Sequence, residues 1–292
     1  MYLVIGGNGY FGTYIIKSIL ENTDQQVIAT SRDISQYRKM TRLSWERCDI
    51  TNDDDVVHLL DKTDVRNLNV VFLAAYHHPD LVAQNPELAW SINVTALLNC
   101  ISKMKGVHRL FYASTDSVYG NSINGYHFRE NDDLNPVNIY GQQKVEAEKV
   151  VMDAGFHVAR FPFLIAPSLV SGKPHFYDNL VTDLKSGKTI EMFSDSYRSS
   201  LHFSTASELL IKLFEISDDL PPAINVSGDK DLSKYDIGLM LADKLGVDRE
   251  RVVPVRVSDS PGIFKSPRAS STLMDNSLVK NLLDVKEIAF RL

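Results

Sequence analysis

The first dozen residues constrain the fold of this chain more than any other stretch. The apolar run Tyr2-Leu3-Val4-Ile5 enters the turn Gly6-Gly7-Asn8-Gly9-Tyr10-Phe11-Gly12, and an apolar-periodic segment follows from Thr13 to Leu20. A strand, a glycine-rich turn and a helix in direct succession predict the opening βα unit of a nucleotide-binding parallel sheet. Gly6 would permit the tight turn, Gly9 would let backbone approach a pyrophosphate, and Gly12 would let helix and strand pack closely. The helix start adds unpaired N–H groups and the positive end of its dipole. A purely structural turn uses the same residues, so the following strands must decide.

The second strand, within Gln26 to Asp33, ends about 20 residues beyond the glycines. In a dinucleotide fold this end meets the adenosine ribose, where an acidic residue would bind the 2′-OH. Here that place holds Ser31 and Arg32, a hydroxyl and a guanidinium that suit a 2′-phosphate. NADP is therefore favoured and NAD is the alternative; Asp33, if it faced the ribose, would shift the balance toward NAD. A third strand over Leu43 to Ile50 ends in Asp49, which can accept the adenine amino group or cap the acidic helix start at Asp53. The continuously apolar fourth strand, Asn69 to Ala75, ends in Ala74-Ala75, small enough for a dinucleotide or for close helix packing.

Pro86 to Met104 reads as one amphipathic helix with Leu88, Ile92, Leu97, Leu98 and Ile101 largely on one side and Asn93 as its notable polar residue. The fifth strand, Leu110 to Thr115, delivers Asp116-Ser117-Val118-Tyr119-Gly120 at the sheet edge where ligands bind. Pro136 to Lys144 then opens a helix running to about Asp153, with Tyr140 and Lys144 four apart on one face. A phenol has a pKa of about 10 and carries protons poorly at neutral pH. An adjacent ammonium stabilises the phenolate and makes it a usable acid or base.

The balance of 31 basic and 37 acidic residues gives a net charge of −6 and no basis for nucleic-acid or membrane binding. Cys48 and Cys100 are expected as two free core thiols, and the histidines His77, His78 and His202 have no metal-site spacing. Met1 leads directly into a strand and no apolar run approaches the roughly 18 residues a span needs, so a cytoplasmic protein is expected. The length of 292 residues fits one α/β Rossmann-type domain, a doubly wound parallel sheet, with a smaller lobe. The main domain is expected over 1–165 and 201–228, and a substrate-binding lobe over 166–200 and 229–292.

Four ordered motifs resemble the extended short-chain dehydrogenase/reductases: GGNGYFG, Asp49-Ile50, STDSVYG and YGQQK. The resemblance implies that Gly6, Gly9, Tyr10, Phe11, Gly12, Asp49, Ile50, Ala74, Ala75 and Asn93 hold the coenzyme. It implies further that Thr115 bonds the substrate oxygen, that Tyr140 is the acid/base, and that Lys144 binds the nicotinamide ribose. Within that superfamily Asn135 to Gly141, Ile224 to Gly228 and Ser266 to Leu283 are similar to the dTDP-4-dehydrorhamnose reductases, whereas VYG after the fifth strand is commoner in epimerases and dehydratases. Related 4,6-dehydratases carry Glu where this chain has Ser117, and a serine cannot replace that carboxylate as acid/base.

Asp116 either touches substrate or stabilises its turn. Phe193, Tyr197, Arg198 and His202 lie where the superfamily binds a nucleotide diphosphate, and Arg268 is a second candidate cation. The resemblance thus implies an NADPH-dependent reductase of a nucleotide-linked 4-keto-6-deoxy sugar and allows a homodimer. The alternatives are an NAD-dependent nucleotide-sugar epimerase and a non-catalytic regulatory subunit, of which the methionine adenosyltransferase system has an example.

Overall fold

Seven short strands lie parallel in one sheet: β1 (Tyr2–Ile5), β2 (Val27–Ser31), β3 (Leu43–Arg47), β4 (Asn69–Phe72), β5 (Arg109–Thr115), β6 (His157–Phe161) and β7 (Ala223–Asn225). This computed structural model describes residues 1–217, 219–259 and 262–292. The spatial order is β7-β6-β5-β4-β1-β2-β3, so the chain reverses direction across the sheet between β1 and β4. Such a sheet opens a ligand crevice outside the carboxyl ends of those two strands.

Both faces are covered, and the central strands β1 and β4 are accordingly almost continuously apolar, whereas the edge strand β3 ends in the less buried Glu46 and Arg47. Tyr2 and Val4 of β1 point toward α1 (Tyr10–Asn22) and α6 (Phe203–Phe214), into a core with Ile15, Ile19 and Leu210. Leu3 and Ile5 point the other way, into a core with α2 (Asp53–Asp61), α3 (Leu97–Lys103) and α4 (Ile139–Asp153). Cys48 and Cys100 are buried free thiols on that side. No helix among the described residues is long and apolar enough to cross a membrane.

The single helix expected over Pro86 to Met104 is divided. Pro86–Trp90 is α-helical, Ser91–Ala96 winds as a π-helix, and α3 completes it. The extra residue per turn swings Asn93 inward and leaves Leu88 and Leu98 about half exposed, so the apolar face is not continuous as expected.

A smaller lobe has its own core. Tyr177, Leu180 and Leu184 of α5 (Phe176–Lys185) meet Ile237 and Leu241 of α7 (Lys234–Leu245), with Ile190, Met192 and Val252 from the parallel pair Ile190–Phe193 and Val252–Val255. Val279 of α8 (Ser277–Leu283) and Ile288 join the core around α1 and α6, so this stretch of the expected 229–292 lobe packs against the main domain. Its apolar residues fit the face α6 presents there.

The first turn shows why its glycines differ. A Cβ on Gly12 would lie 2.6 Å from the Gly6 carbonyl oxygen and 2.7 Å from that of Gly7, whereas a Cβ on Gly9 would come no nearer than 3.5 Å to its neighbours. Gly12→Ala is therefore expected to lower stability by about 1–3 kcal/mol in urea titration, the usual cost of overpacking. Gly9→Ala should stay within about 0.5 kcal/mol of the parent chain. Equal losses at both positions would mean that the α1 approach is not the tight contact.

Candidate active site

Two cavities meet at the carboxyl edge of the sheet, sharing Leu73, Ala75 and His77 in their walls. The first is formed by the ends of β1, β2 and β4 and the stretch after β3. Gly6, Gly9, Ser31, Arg32, Asp49, Ile50, Ala74 and Ala75, residues the sequence reading assigns to the coenzyme, all line it. Gly6 has φ +86°, and a Cβ there would meet the Ala74 nitrogen at 2.9 Å. The bare backbone and small residues leave room for a flat, extended anion beside the α1 N-terminus. Arg32 is exposed in this wall, while the Asp33 carboxylate turns away and accepts from the Ser35 N–H at 2.9 Å. Asp49 Oδ1 accepts from the N–H and hydroxyl of Thr51, at 3.0 and 2.7 Å, and these bonds hold its carboxyl below the usual range.

Four residues expected here lie elsewhere. Gly12 is occupied with packing against the turn. Phe11 lines the second cavity. Tyr10 turns outward, its ring 4.6 Å from that of His175 and its hydroxyl donating to the Pro174 carbonyl at 2.9 Å. Asn93 acts from behind: its side chain accepts from the Tyr76 N–H at 2.7 Å and donates to the Tyr76 carbonyl and to Gln143 Oε1, fixing the chain that follows Ala75.

The second cavity, about 480 Å3, lies between the end of β5, the start of α4 and the smaller lobe. Thr115, Asp116, Ser117, Tyr140 and Lys144 line one side, and Phe193, Arg198, Lys234 and Arg268 the other. Asn138 caps α4 by accepting from the Gly141 N–H at 2.9 Å. A Cβ on Gly141 would stand 2.5 Å from the Ser117 carbonyl oxygen, so only glycine allows α4 to bring Tyr140 this close to the end of β5. The Thr115 hydroxyl lies against the Tyr140 phenol and donates to Asp116 Oδ1 at 3.1 Å.

The expected electrostatics are not what the structure shows. Burial, reinforced by Asp116, raises the Tyr140 pKa above the ordinary phenol value, and the Thr115 contact only partly offsets this. Lys144 does not turn its ammonium to Tyr140. Its Nζ donates to the Tyr112 hydroxyl at 2.9 Å and the Ala113 carbonyl at 2.8 Å, inside the protein. Burial lowers its pKa to about 7, with Glu148 one turn further along α4 opposing the shift. Glu148 is itself held by Arg160 of β6, through a contact of 2.6 Å from Nη2 to Oε2 and a second from Nε.

The lobe-side cations are also engaged. Arg198 donates to the carbonyls of Tyr197, Ala269 and Ser270 and faces the Asp116 carboxylate at 3.4 Å; Arg268 pairs with Asp80 at 2.9 Å. Lys234 adds a third positive group against these two carboxylates, and burial together with both arginines lowers its pKa. His202 is absent from both walls, because its Nδ1 accepts from the Ser204 N–H and its ring caps α6. Tyr197, on the exposed edge, is absent as well.

Sequence reasoning missed Lys173, His77, Tyr76 and Thr51 in the first cavity and Lys234 and His175 in the second. The sequence reads His77 and His78 as ordinary polar residues without metal-site spacing, and nothing local marks Lys173 or Lys234 as facing a cleft. Only the return of the smaller lobe over the sheet places them there.

The shifted Lys144 carries a pH signature. Its pKa falls on folding, so the unfolded chain holds this proton up to a pH near 10.5 while the folded chain releases it near 7. Stability contributed by this group must rise with pH across that window. The stability difference between the parent chain and Lys144→Met is therefore expected to move in favour of the parent from pH 7 to 10 in urea titrations, and a flat difference would mean that Lys144 keeps its ordinary pKa.

The RmlD substrate binding domain family matches residues 1–292. Methionine adenosyltransferase 2 subunit beta of Bos taurus is 25% identical over 305 aligned positions, covering 99% of this chain and 84% of that protein. The dTDP-4-dehydrorhamnose reductase of Bacillus anthracis, solved with NADP, superposes with a TM-score of 0.81 at 20% identity, covering 98% of this chain and 94% of that one. The UDP-glucuronic acid 4-epimerase of Bacillus cereus, solved with UDP-glucuronic acid and NAD, gives a TM-score of 0.82 at 18% identity, with coverage of 99% and 94%. The fold is thus one that these proteins share, and the match along its whole length makes the chain a member of the RmlD substrate-binding domain family.

Proposed function

We propose that this chain is an NADP(H)-dependent reductase of a nucleotide-linked 4-keto-6-deoxy sugar, working in the cytoplasm. The observation that carries the reading is the convergence of Thr115 and Tyr140 in a cavity that opens onto the glycine-turn cleft. NADPH bound in that cleft would supply a hydride to the ketone carbon. Gly6, Gly9, Ser31 and Arg32 are the residues that would hold it, and Ala74 and Ala75 give it room.

The chain's own residues supply the proton and the geometry. A phenol held above its usual pKa stays protonated at neutral pH, so Tyr140 enters the reaction as an acid. It donates its proton to the oxygen of the ketone as that oxygen becomes an alkoxide. The Thr115 hydroxyl, which donates its single hydrogen to Asp116 Oδ1, would have to redirect it to the same oxygen to hold that oxygen in place. Lys144, one α4 turn from Tyr140, directs its Nζ to the Tyr112 hydroxyl and the Ala113 carbonyl, so in this reading it holds α4 against β5 and does not contact the phenol. Ser117 has no carboxylate with which to eliminate water, which supports reduction over dehydration. On the opposite wall Arg198, Arg268 and Lys234 exceed Asp116 and Asp80 by one charge, which favours the diphosphate of a nucleotide sugar.

A second reading, a non-catalytic regulatory subunit, is favoured by the likeness to methionine adenosyltransferase 2 subunit beta. Tyr140→Phe separates the two. It keeps the ring and removes the proton, so kcat on nucleotide-linked keto sugars, followed by NADPH consumption, should fall by roughly 10²–10⁴ with coenzyme binding little changed. No turnover by the parent chain on a panel of such sugars would favour the regulatory reading.

Arg32 tests the coenzyme. It is exposed in the cleft wall while Asp33 is turned away, so loss of its charge-assisted contact to a 2′-phosphate should weaken NADPH by at least about tenfold. Arg32→Ala should therefore raise KM for NADPH and leave KM for NADH nearly unchanged. Equal losses would remove the support for NADP over NAD.

A further inference from the structure

The segment that leaves the sheet after β6 crosses back over the glycine turn before entering α5. Two tyrosines of α1, one helical turn apart, fasten it: the Tyr14 hydroxyl donates to the Pro167 carbonyl at 2.8 Å and the Tyr10 hydroxyl to the Pro174 carbonyl at 2.9 Å. Its far end is tied by Asp178, which accepts from the N–H groups of Ser168 at 3.0 Å and His175 at 2.7 Å. Between these anchors stands Lys173, its Nζ 4.9 Å from the centroid of the Tyr10 ring. Tyr10 is the first residue of α1, so the ammonium overhangs the helix start. Lys173 lines the first cavity together with Gly6, Asn8 and Gly9, and forms no ion pair among the described residues.

Lys173 and Arg32 are the two basic Lys/Arg side chains of that wall, and they serve different ends of it. Arg32 follows β2 and acts on Asp49, whereas Lys173 acts on His77 at the junction with the second cavity. An extended dinucleotide carries its bridging diphosphate over the helix start and any 2′-phosphate beyond the end of β2. We propose that Lys173, carried by the smaller lobe and seated on Tyr10, is a ligand for the bridging diphosphate of the coenzyme. The proposal rests on the coenzyme reading above and gives Tyr10 a different part from the one expected of it, as the platform for a cation. It also makes coenzyme affinity depend on the lobe that walls the substrate cavity, because one segment serves both.

The test is equilibrium binding, which needs no substrate. NADPH, NADH, ADP-ribose and adenosine 2′-monophosphate are titrated into the parent chain, Lys173→Ala and Lys173→Arg, with heat or coenzyme fluorescence as the readout. Lys173 is exposed and its side chain holds no backbone group, so Lys173→Ala should keep the parent's melting temperature. That variant is expected to weaken NADPH, NADH and ADP-ribose by a common factor of about ten, the worth of one charge-assisted contact. It should leave adenosine 2′-monophosphate unchanged, and Lys173→Arg should restore most of the loss. Unchanged ADP-ribose affinity, or a loss confined to the 2′-phosphate ligand, overturns the assignment. A parent chain that binds NADH as well as NADPH removes the NADP preference and leaves Lys173 standing, whereas one that binds neither overturns both.

Discussion

Both cavities exist because backbone meets backbone, with no side chain between, at three places along the carboxyl edge of the sheet. Gly12 brings α1 onto the first turn, Gly6 brings that turn onto Ala74, and Gly141 brings α4 onto the carbonyl of Ser117. A methyl group at any of the three would stand less than 3.0 Å from a backbone atom that cannot swing aside. The first two contacts shape the first cavity and the third sets the phenol of Tyr140 beside Thr115. The rest of the site is built on these approaches.

The α4 contact is backed by a buried polar network. Arg160 grips the Glu148 carboxylate and also donates to the Tyr119 hydroxyl at 2.6 Å, and that hydroxyl donates to Asn225 at 2.8 Å. Strands β6 and β7, helix α4 and the stretch after β5 are thereby tied through side chains that are almost wholly buried. Such a pair contributes modest net stability, because desolvation offsets most of the attraction, but removing one partner strands a charge at a cost of about 3–5 kcal/mol. Its consequence for function is the placement of a carboxylate one turn below Lys144, in the part of the protein where burial works against an ammonium.

The two lobes meet over charge as well as over apolar surface. On the sheet side stand Asp116 and the Tyr140 phenol; on the lobe side stand Arg198, Arg268 and Lys234. The Arg198–Asp116 contact crosses from one lobe to the other, and the Lys173 segment crosses back over α1. The cavity between is therefore lined by opposite signs, an arrangement that can orient a molecule with a neutral reacting end and an anionic tail.

Much of this was legible in the residues themselves. The glycine turn, the order of apolar strands, the small residues after β4 and the Tyr140–Lys144 spacing are local patterns, and each reappears in the sheet and in the cavity walls. Local pattern could not determine where long side chains go once a second lobe closes over them. Lys144 has two neighbours on offer, and burial against Tyr112 and Ala113 directs it away from Tyr140. Asn93 lies on a π-helical turn that periodicity reads as α, and His202 is drawn off by the helix it caps. Periodicity and spacing thus determined the backbone frame and the positions on it, because strand and helix periods are properties of consecutive residues. The partners of the charged groups were decided by tertiary structure alone, because desolvation and pairing depend on residues far apart in the chain.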